Sequence, residues 1–442
     1  MKTFEKLLVV FALVFICLSF SGCGSFEMDA ESLMQPPSLN EEQSKLNSAL
    51  TEVIGENYKL HYPSIGGTNS AFIFYDLDDD GDEEAITFYS VNDDNIRINI
   101  LEKNKENWIS IYEAAGASGE VEEVRFIETA KDEHCLAVKW DQEVGVYRFE
   151  NQRLETLYSA PCDGMSIVDI NADGYDDIMT FSGEYIGRYS AVLLFHGDEG
   201  LVATDSVNIS TPYSGIMMSQ NGFLMKDKPA YFVDSEIYEG IYVTEVFTVK
   251  EGRLKRETLA NYLPKEAKED NEVGSVIVIS EYGKRGIYAR NTAVCCTDID
   301  KDGIMEMPVE YREETATSDN TEIFFIDYIK CGETKEESHS VWFGFADPAG
   351  EYRFELPEEW ADTVDIQYNS GSDEYVFINN ENGADILRIK EERVNEYRDR
   401  YDENYVLLGE NGTMAYYVYA IAQKGDKFYL EPGSLKNRFE FT

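Results

Sequence analysis

The run Ala71-Phe-Ile-Phe-Tyr-Asp-Leu-Asp-Asp-Asp-Gly-Asp-Glu-Glu-Ala-Ile-Thr-Phe-Tyr89 decides how the chain is read, because its acidic centre returns twice. Asp169-Ile-Asn-Ala-Asp-Gly-Tyr-Asp-Asp177 and Asp298-Ile-Asp-Lys-Asp-Gly-Ile-Met-Glu306 repeat the pattern of Asp76 to Glu84. Every copy sets an oxygen-bearing side chain at positions 1, 3, 5 and 9 and glycine at position 6. A hard cation such as calcium needs several oxygens on one tight loop, with glycine where the backbone turns sharply. Position 7 (Asp82, Tyr175, Ile304) varies, as expected where only a carbonyl binds. Asp, Asn and Gly are also good turn formers, which is the competing reading. A hairpin turn, however, needs no acid at four fixed positions, and crowded carboxylates repel unless a cation offsets them. Calcium is expected over magnesium, since the loops offer many protein oxygens and nothing suggests a phosphate partner. Asn171 replaces a carboxylate, so the middle loop is expected to bind most weakly.

These loops are not EF-hands. That motif needs a bidentate acid at position 12 and helices on both sides. Position 12 is Thr87, Thr180 and Val309. The flanks are short β-branched and aromatic runs: Ala71–Tyr75, Met165–Val168 and Thr292–Cys296 before the loops, Ala85–Tyr89, Ile178–Phe181 and Met307–Tyr311 after them. Such runs, bounded by Gly and Asp, read as strands.

Working outward, the 442 residues suffice for a large core or two. With 38 basic against 85 acidic residues the formal charge is -47, which disfavours nucleic acid and anionic lipid headgroups as partners. Solubility outside the cell accounts for the excess. Hydrophobic residues at 43% and aromatics at 13% exclude a mainly disordered chain.

Lys2 and Lys6 precede the apolar run Leu7–Leu18, too short to span a bilayer comfortably, so residues 1–22 read as an export signal. Its end, Phe20-Ser-Gly-Cys23, resembles the lipobox of bacterial lipoproteins, with Phe20 at the place where leucine is usual. The resemblance implies cleavage before Cys23 and a diacylglyceryl group on its sulfur; two acyl chains suffice for stable anchoring. An ordinary signal peptide that happens to contain cysteine is the alternative. Cys135, Cys162, Cys295, Cys296 and Cys331 are irregularly spaced and odd in number, so no disulfide framework is evident, although one bridge is allowed. His61, His134, His196 and His339 are scattered without zinc-ligand spacing.

The organisation follows. Residues 23–38 form a polar linker ending in Pro36-Pro37. Residues 39–61 hold a short helix, with Asn40 as cap, the stripe Leu46, Ala49, Leu50, Val53 and Ile54, and Gly55 as stop. Residues 62–442 read as strand after strand, with a hairpin at Asn411-Gly412 and helical interruptions at Leu259–Glu269 and Glu391–Tyr401. The loops start at residues 76, 169 and 298, and propeller blades run to roughly 40–50 residues, so the first two loops lie about two blades apart. Residues 121–160 fit a blade without a cation loop, and residues 214–260 another, with Asp234–Tyr238 in the loop's place. The expected fold is an all-β propeller of about seven blades, range six to eight, after a short N-terminal helix.

Asp-x-Asp/Asn-x-Asp-Gly-x-x-Asp/Glu between two strands resembles the FG-GAP and VCBS repeats of calcium-binding propellers. By that resemblance the ligands are Asp76, Asp78, Asp80, Asp82 and Glu84; Asp169, Asn171, Asp173, Tyr175 and Asp177; and Asp298, Asp300, Asp302, Ile304 and Glu306. The implied calcium is structural, at up to three sites. The order of lipobox, Pro-Pro, short helix and loop also looks like uncharacterised bacterial lipoproteins with VCBS-type repeats.

Function is read as a non-catalytic, extracytoplasmic binding module for a protein or glycan, held to the cell membrane through Cys23. The alternative is a glycan hydrolase or lyase on a propeller scaffold. No Gly-x-Ser-x-Gly, His-Glu-x-x-His or Gly-rich phosphate loop is found, and the clustered carboxylates are accounted for as calcium ligands.

Overall fold

The computed structural model describes residues 41–66, 70–91, 95–116, 119–131, 133–184, 188–198, 200–263, 288–311, 323–347, 349–394 and 404–442. The export signal, Cys23, the linker and the Asn40 cap lie outside these residues, as do 264–269 and 395–401 of the expected interruptions.

Among the described residues, strands form six separate antiparallel sheets. Sheet 1 covers 59–115, sheet 2 covers 121–161 and sheet 3 covers 164–209. Sheet 4 runs over 216–256 and adds Tyr288–Arg290; sheet 5 runs over 306–355 and adds Phe439–Phe441; sheet 6 covers 364–420. Four strands in simple up-and-down order make the backbone of sheets 1 to 5, and sheet 2 is nothing else. The stretches 121–160 and 214–260 are each one such sheet. The fold is all-β, as the sequence implies.

Successive sheets pack face to face. Ile86 and Phe88 of sheet 1 share a core with Val124, Leu136 and Trp140 of sheet 2. Further cores join sheets 2 and 3 (Val146 with Ile178), 3 and 4 (Phe181 with Tyr231), 4 and 5 (Phe232 with Met307), and 5 and 6 (Phe345 with Phe377). Large apolar side chains fully withdrawn from water contribute about 1.5–3 kcal/mol each, so these junctions dominate stability. Edge-to-face rings, Phe88 on Trp140 at 5.7 Å and Phe345 on Phe377 at 5.6 Å, add geometric preference.

The helix α1, Glu41–Ile54, covers the face of sheet 1 turned away from sheet 2. Leu46, Ala49 and Leu50 are buried, and Leu46 and Ala49 meet Ala85, Leu101 and Trp108. Val53, assigned to the same stripe, is exposed. Gly55 has φ +85° and stops the helix as expected. The strand Glu84–Ser90 is therefore buried at every position, covered by a sheet on one side and a helix on the other. Sheet 1 begins at Lys59, inside the stretch read as helical.

Three local expectations change. Leu259–Asn261 makes one turn of 3-10 helix rather than the start of a longer α-helix. Glu391–Arg393 completes the strand Asp385–Arg393, paired with Met414–Tyr416, so the helix expected from Glu391 begins only at Val394, the last described residue of that stretch. Asp234–Tyr238 is no loop but the end of the strand Lys228–Tyr238. Asp234 is acidic because it is ion-paired inside sheet 4, with Arg290 at 2.7 Å.

Candidate metal centre

All three acidic segments adopt one conformation. Tyr75 pairs with Glu84, Val168 with Asp177 and Thr297 with Glu306, so each loop is closed by a pairing between the residue before position 1 and position 9. The expected strand Thr292–Cys296 is reduced to the bridge at Thr297, because the Cys296 amide turns to Asp234 and the Cys295 carbonyl to Tyr328. Position 4 has φ +59°, +57° and +63° at Asp79, Ala172 and Lys301, and the glycine at position 6 has +94°, +89° and +89°. The sequence puts glycine where the larger angle occurs, which side chains resist.

The same four hydrogen bonds recur. The position 1 carboxylate accepts from the amides of positions 5 and 6: Asp76 from Asp80 (3.2 Å) and Gly81 (3.0 Å), Asp169 from Asp173 (3.1 Å) and Gly174 (3.0 Å), Asp298 from Asp302 (3.0 Å) and Gly303 (2.8 Å). The position 5 carboxylate accepts from the amide of position 7 at 2.9 Å in every loop. One oxygen of the position 9 acid accepts from the amide of position 2: Glu84 from Leu77, Asp177 from Ile170, Glu306 from Ile299. These bonds aim the remaining oxygens inward.

Glu84, Asp177 and Glu306 are buried. Burial, reinforced by the neighbouring loop carboxylates, pushes Glu84 and Asp177 up to about 7 against the pull of their amide bonds. Glu306 Oε1 accepts no hydrogen bond. Ligand atoms of Asp76, Asp78 and Glu84 lie within 4.8 Å of one another, as do those of Asp298, Asp300, Asp302 and Glu306. Asp80 falls outside the first group, and the middle loop brings no three carboxylates together among the described residues. There Asn171 Nδ2 donates to Asp173 at 2.8 Å. Several side-chain oxygens converging on one tight loop suit calcium.

Loop 3 also has a lysine against its acids. Lys330 Nζ donates to Asp300 and, at 2.8 Å, to Asp302, and lies 3.4 Å from Glu306 Oε1. Burial disfavours its charge, yet these hydrogen bonds and the charge of Glu306 raise its pKa above the ordinary lysine value.

The loops also fasten sheets together. Loop 1 reaches sheet 2 through Asp79 and His134 Nε2 at 3.3 Å, next to Tyr75 stacked on Phe126. Loop 2 reaches sheet 2 by mutual bonds between Asp176 and Glu128, and loop 3 reaches sheet 4 by backbone bonds between Phe223, Gly303 and Met305. Loops 1, 2 and 3 thus belong to sheets 1, 3 and 5.

Sequence reasoning missed a cleft of about 610 Å³ where sheets 1 to 3 meet. His134 and His196, distant in sequence, both line it. Glu133 accepts from Arg148 and pairs with His196 Nδ1 at 3.0 Å, and Tyr75 contacts His134 Nδ1 at 3.1 Å. Only the strand register across three sheets brings them together. The described cysteines, 135, 162, 295, 296 and 331, are all free thiols.

No protein-family model matches this chain, and no curated protein matches it. Among solved structures it is similar to Sqt1 of Chaetomium thermophilum (TM-score 0.29, 10% identity, 70% of this chain and 69% of that one). It is similar also to Sqt1 of Saccharomyces cerevisiae (TM-score 0.30, 8% identity, 83% of this chain and 99% of that one). Likeness of this degree carries no argument about fold or function, which rest on the strand pairing and the loops.

Proposed function

We propose that this chain is a calcium-stiffened binding module, anchored outside the bacterial cell by acyl chains on Cys23, whose six sheets are propeller blades and whose ligand is a protein or glycan. The observation that carries the calcium reading is the convergence of Asp76, Asp78 and Glu84 within 4.8 Å in a loop whose hydrogen-bond pattern occurs three times. Asp80 and the Asp82 carbonyl complete that set; Asp169, Asn171, Asp173, Asp177 and the Tyr175 carbonyl make the second. Asp298, Asp300, Asp302, Glu306 and the Ile304 carbonyl offer the third. Calcium there neutralises the loops and holds neighbouring sheets in register; its role is structural.

A binding role is supported by sheet 4, where Tyr213, Met217, Met218 and Tyr238 are exposed on paired segments. The enzyme alternative would rest on the cleft of His134 and His196. There both nitrogens of His134 and both oxygens of Glu133 are already engaged, which favours a structural use.

Chelation is expected to lower the melting temperature of the calcium-loaded protein by several degrees, because an ion bound only by the folded form stabilises it. An unchanged melt after verified removal of calcium overturns the reading. Cys23→Ser is expected to move the protein from the membrane fraction to the soluble fraction; continued retention rules out acyl anchoring.

A further inference from the structure

We propose that the third loop carries its own cation, the Lys330 ammonium, so that the chain takes calcium at the first two loops and not at the third. This rests on the calcium reading above and divides it by site.

Backbone pairing delivers the ammonium. Lys330 stands directly opposite Glu306 in the antiparallel register of sheet 5. From there Nζ bonds Asp300 and Asp302 and faces the otherwise unbonded Glu306 Oε1, with only 11% of the lysine side chain exposed. The carboxylates respond as they would to an ion. All four loop 3 acids gather within 4.8 Å, whereas loop 1 gathers three and loop 2 brings no three together among the described residues. Unscreened carboxylates hold apart, and a positive charge among them removes the repulsion.

Among the described residues, neither of the other loops has this device. The register that pairs Ala85 with Leu101 and Ile178 with Leu194, continued by one residue, sets Glu102 opposite Glu84 and Phe195 opposite Asp177. The neighbouring charges that bear most on Glu84 and Asp177 are those of loop acids. Calcium asks for six to eight oxygens at about 2.3–2.6 Å, and an ammonium bonded to the same oxygens occupies that space and repels the ion. Expelling the lysine would cost its three carboxylate contacts. Loop 3, and with it the seam between sheets 4 and 5, is therefore set whatever the external calcium concentration.

The test is a count of bound ions. The full-length chain in detergent, stripped with chelator, is equilibrated with calcium and its bound metal measured by mass spectrometry. Two ions per chain are expected for the native protein and three for Lys330→Met, which keeps the apolar stem and removes the charge. Three ions in the native protein, or two in Lys330→Met, overturn the proposal while the calcium reading stands. No ions in either overturns the calcium reading itself. The transplant Glu102→Lys keeps the question open to refutation should Lys330→Met fail to fold: it sets an ammonium opposite Glu84 and is expected to reduce the count to one, and an unchanged two overturns the proposal.

Discussion

Asp234 is fully buried and has four partners: Arg290 and Thr244 on one oxygen, the amide and thiol of Cys296 on the other. Arg290 in turn donates to the Val294 carbonyl and lies beside Thr244 at 2.9 Å. Such a pair adds little net stability, because desolvation offsets attraction, but breaking it strands a charge. Arg290→Ala is expected to cost about 3–5 kcal/mol in urea unfolding, and Asp234→Leu combined with Arg290→Met much less. A single-variant loss under about 1 kcal/mol would show the pair to be hydrated instead. Read along the chain, Asp234-Ser-Glu-Ile-Tyr238 resembles a worn cation loop. Its acid belongs to a partner 56 positions later, and local spacing contains no trace of that.

At the scale of elements, most of the structure is legible where the signal is local. Apolar runs such as Cys135–Trp140 and Ile241–Val249 fall inside observed strands, and the Asn411-Gly412 turn joins its two strands. The acidic loops are the clearest case, since ligand spacing, glycine and flanks all lie within a few residues. What escapes is whatever depends on pairing between distant strands. Glu391–Arg393 has the composition of a helix, yet ladder bonds to Met414–Tyr416 and the Tyr352 hydroxyl at 2.9 Å hold it extended. Lys330 lies 24 residues after Glu306, and only the register reveals them as opposite neighbours. The meeting of His134 with His196 is hidden for the same reason.

For the whole molecule, the decisive fact is that the acidic loops occupy alternate sheets and that each ties its own sheet to a neighbour. Loops 1 and 2 both lean on sheet 2, at His134 and at Glu128. Removing calcium should therefore loosen one region rather than the entire chain. In hydrogen exchange after chelation, the amides of Leu77, Gly81, Ile170 and Gly174 are expected to lose protection, and those of Ile299, Gly303 and Met305 to keep it. Uniform loss across both sets would mean that loop 3 also depends on the ion. Composition announces the charge and the β-rich class of this architecture. It does not announce the number of sheets: blade lengths allow six to eight, and the strand pairing gives six among the described residues.

Sheet 5 is interrupted in the chain. Its strand Tyr352–Glu355 is completed by Phe439–Phe441, so all of sheet 6 is enclosed in sequence between two pieces of its predecessor. A hydrogen bond from the Thr442 amide to the Glu351 carbonyl, 3.2 Å, extends that clasp. Sheet 6 is in effect an insertion, and it cannot peel away, swap into a second copy or be deleted without tearing the seam beside it. Variation in the number of modules would then arise more readily among the preceding sheets, none of which is split around a neighbour among the described residues.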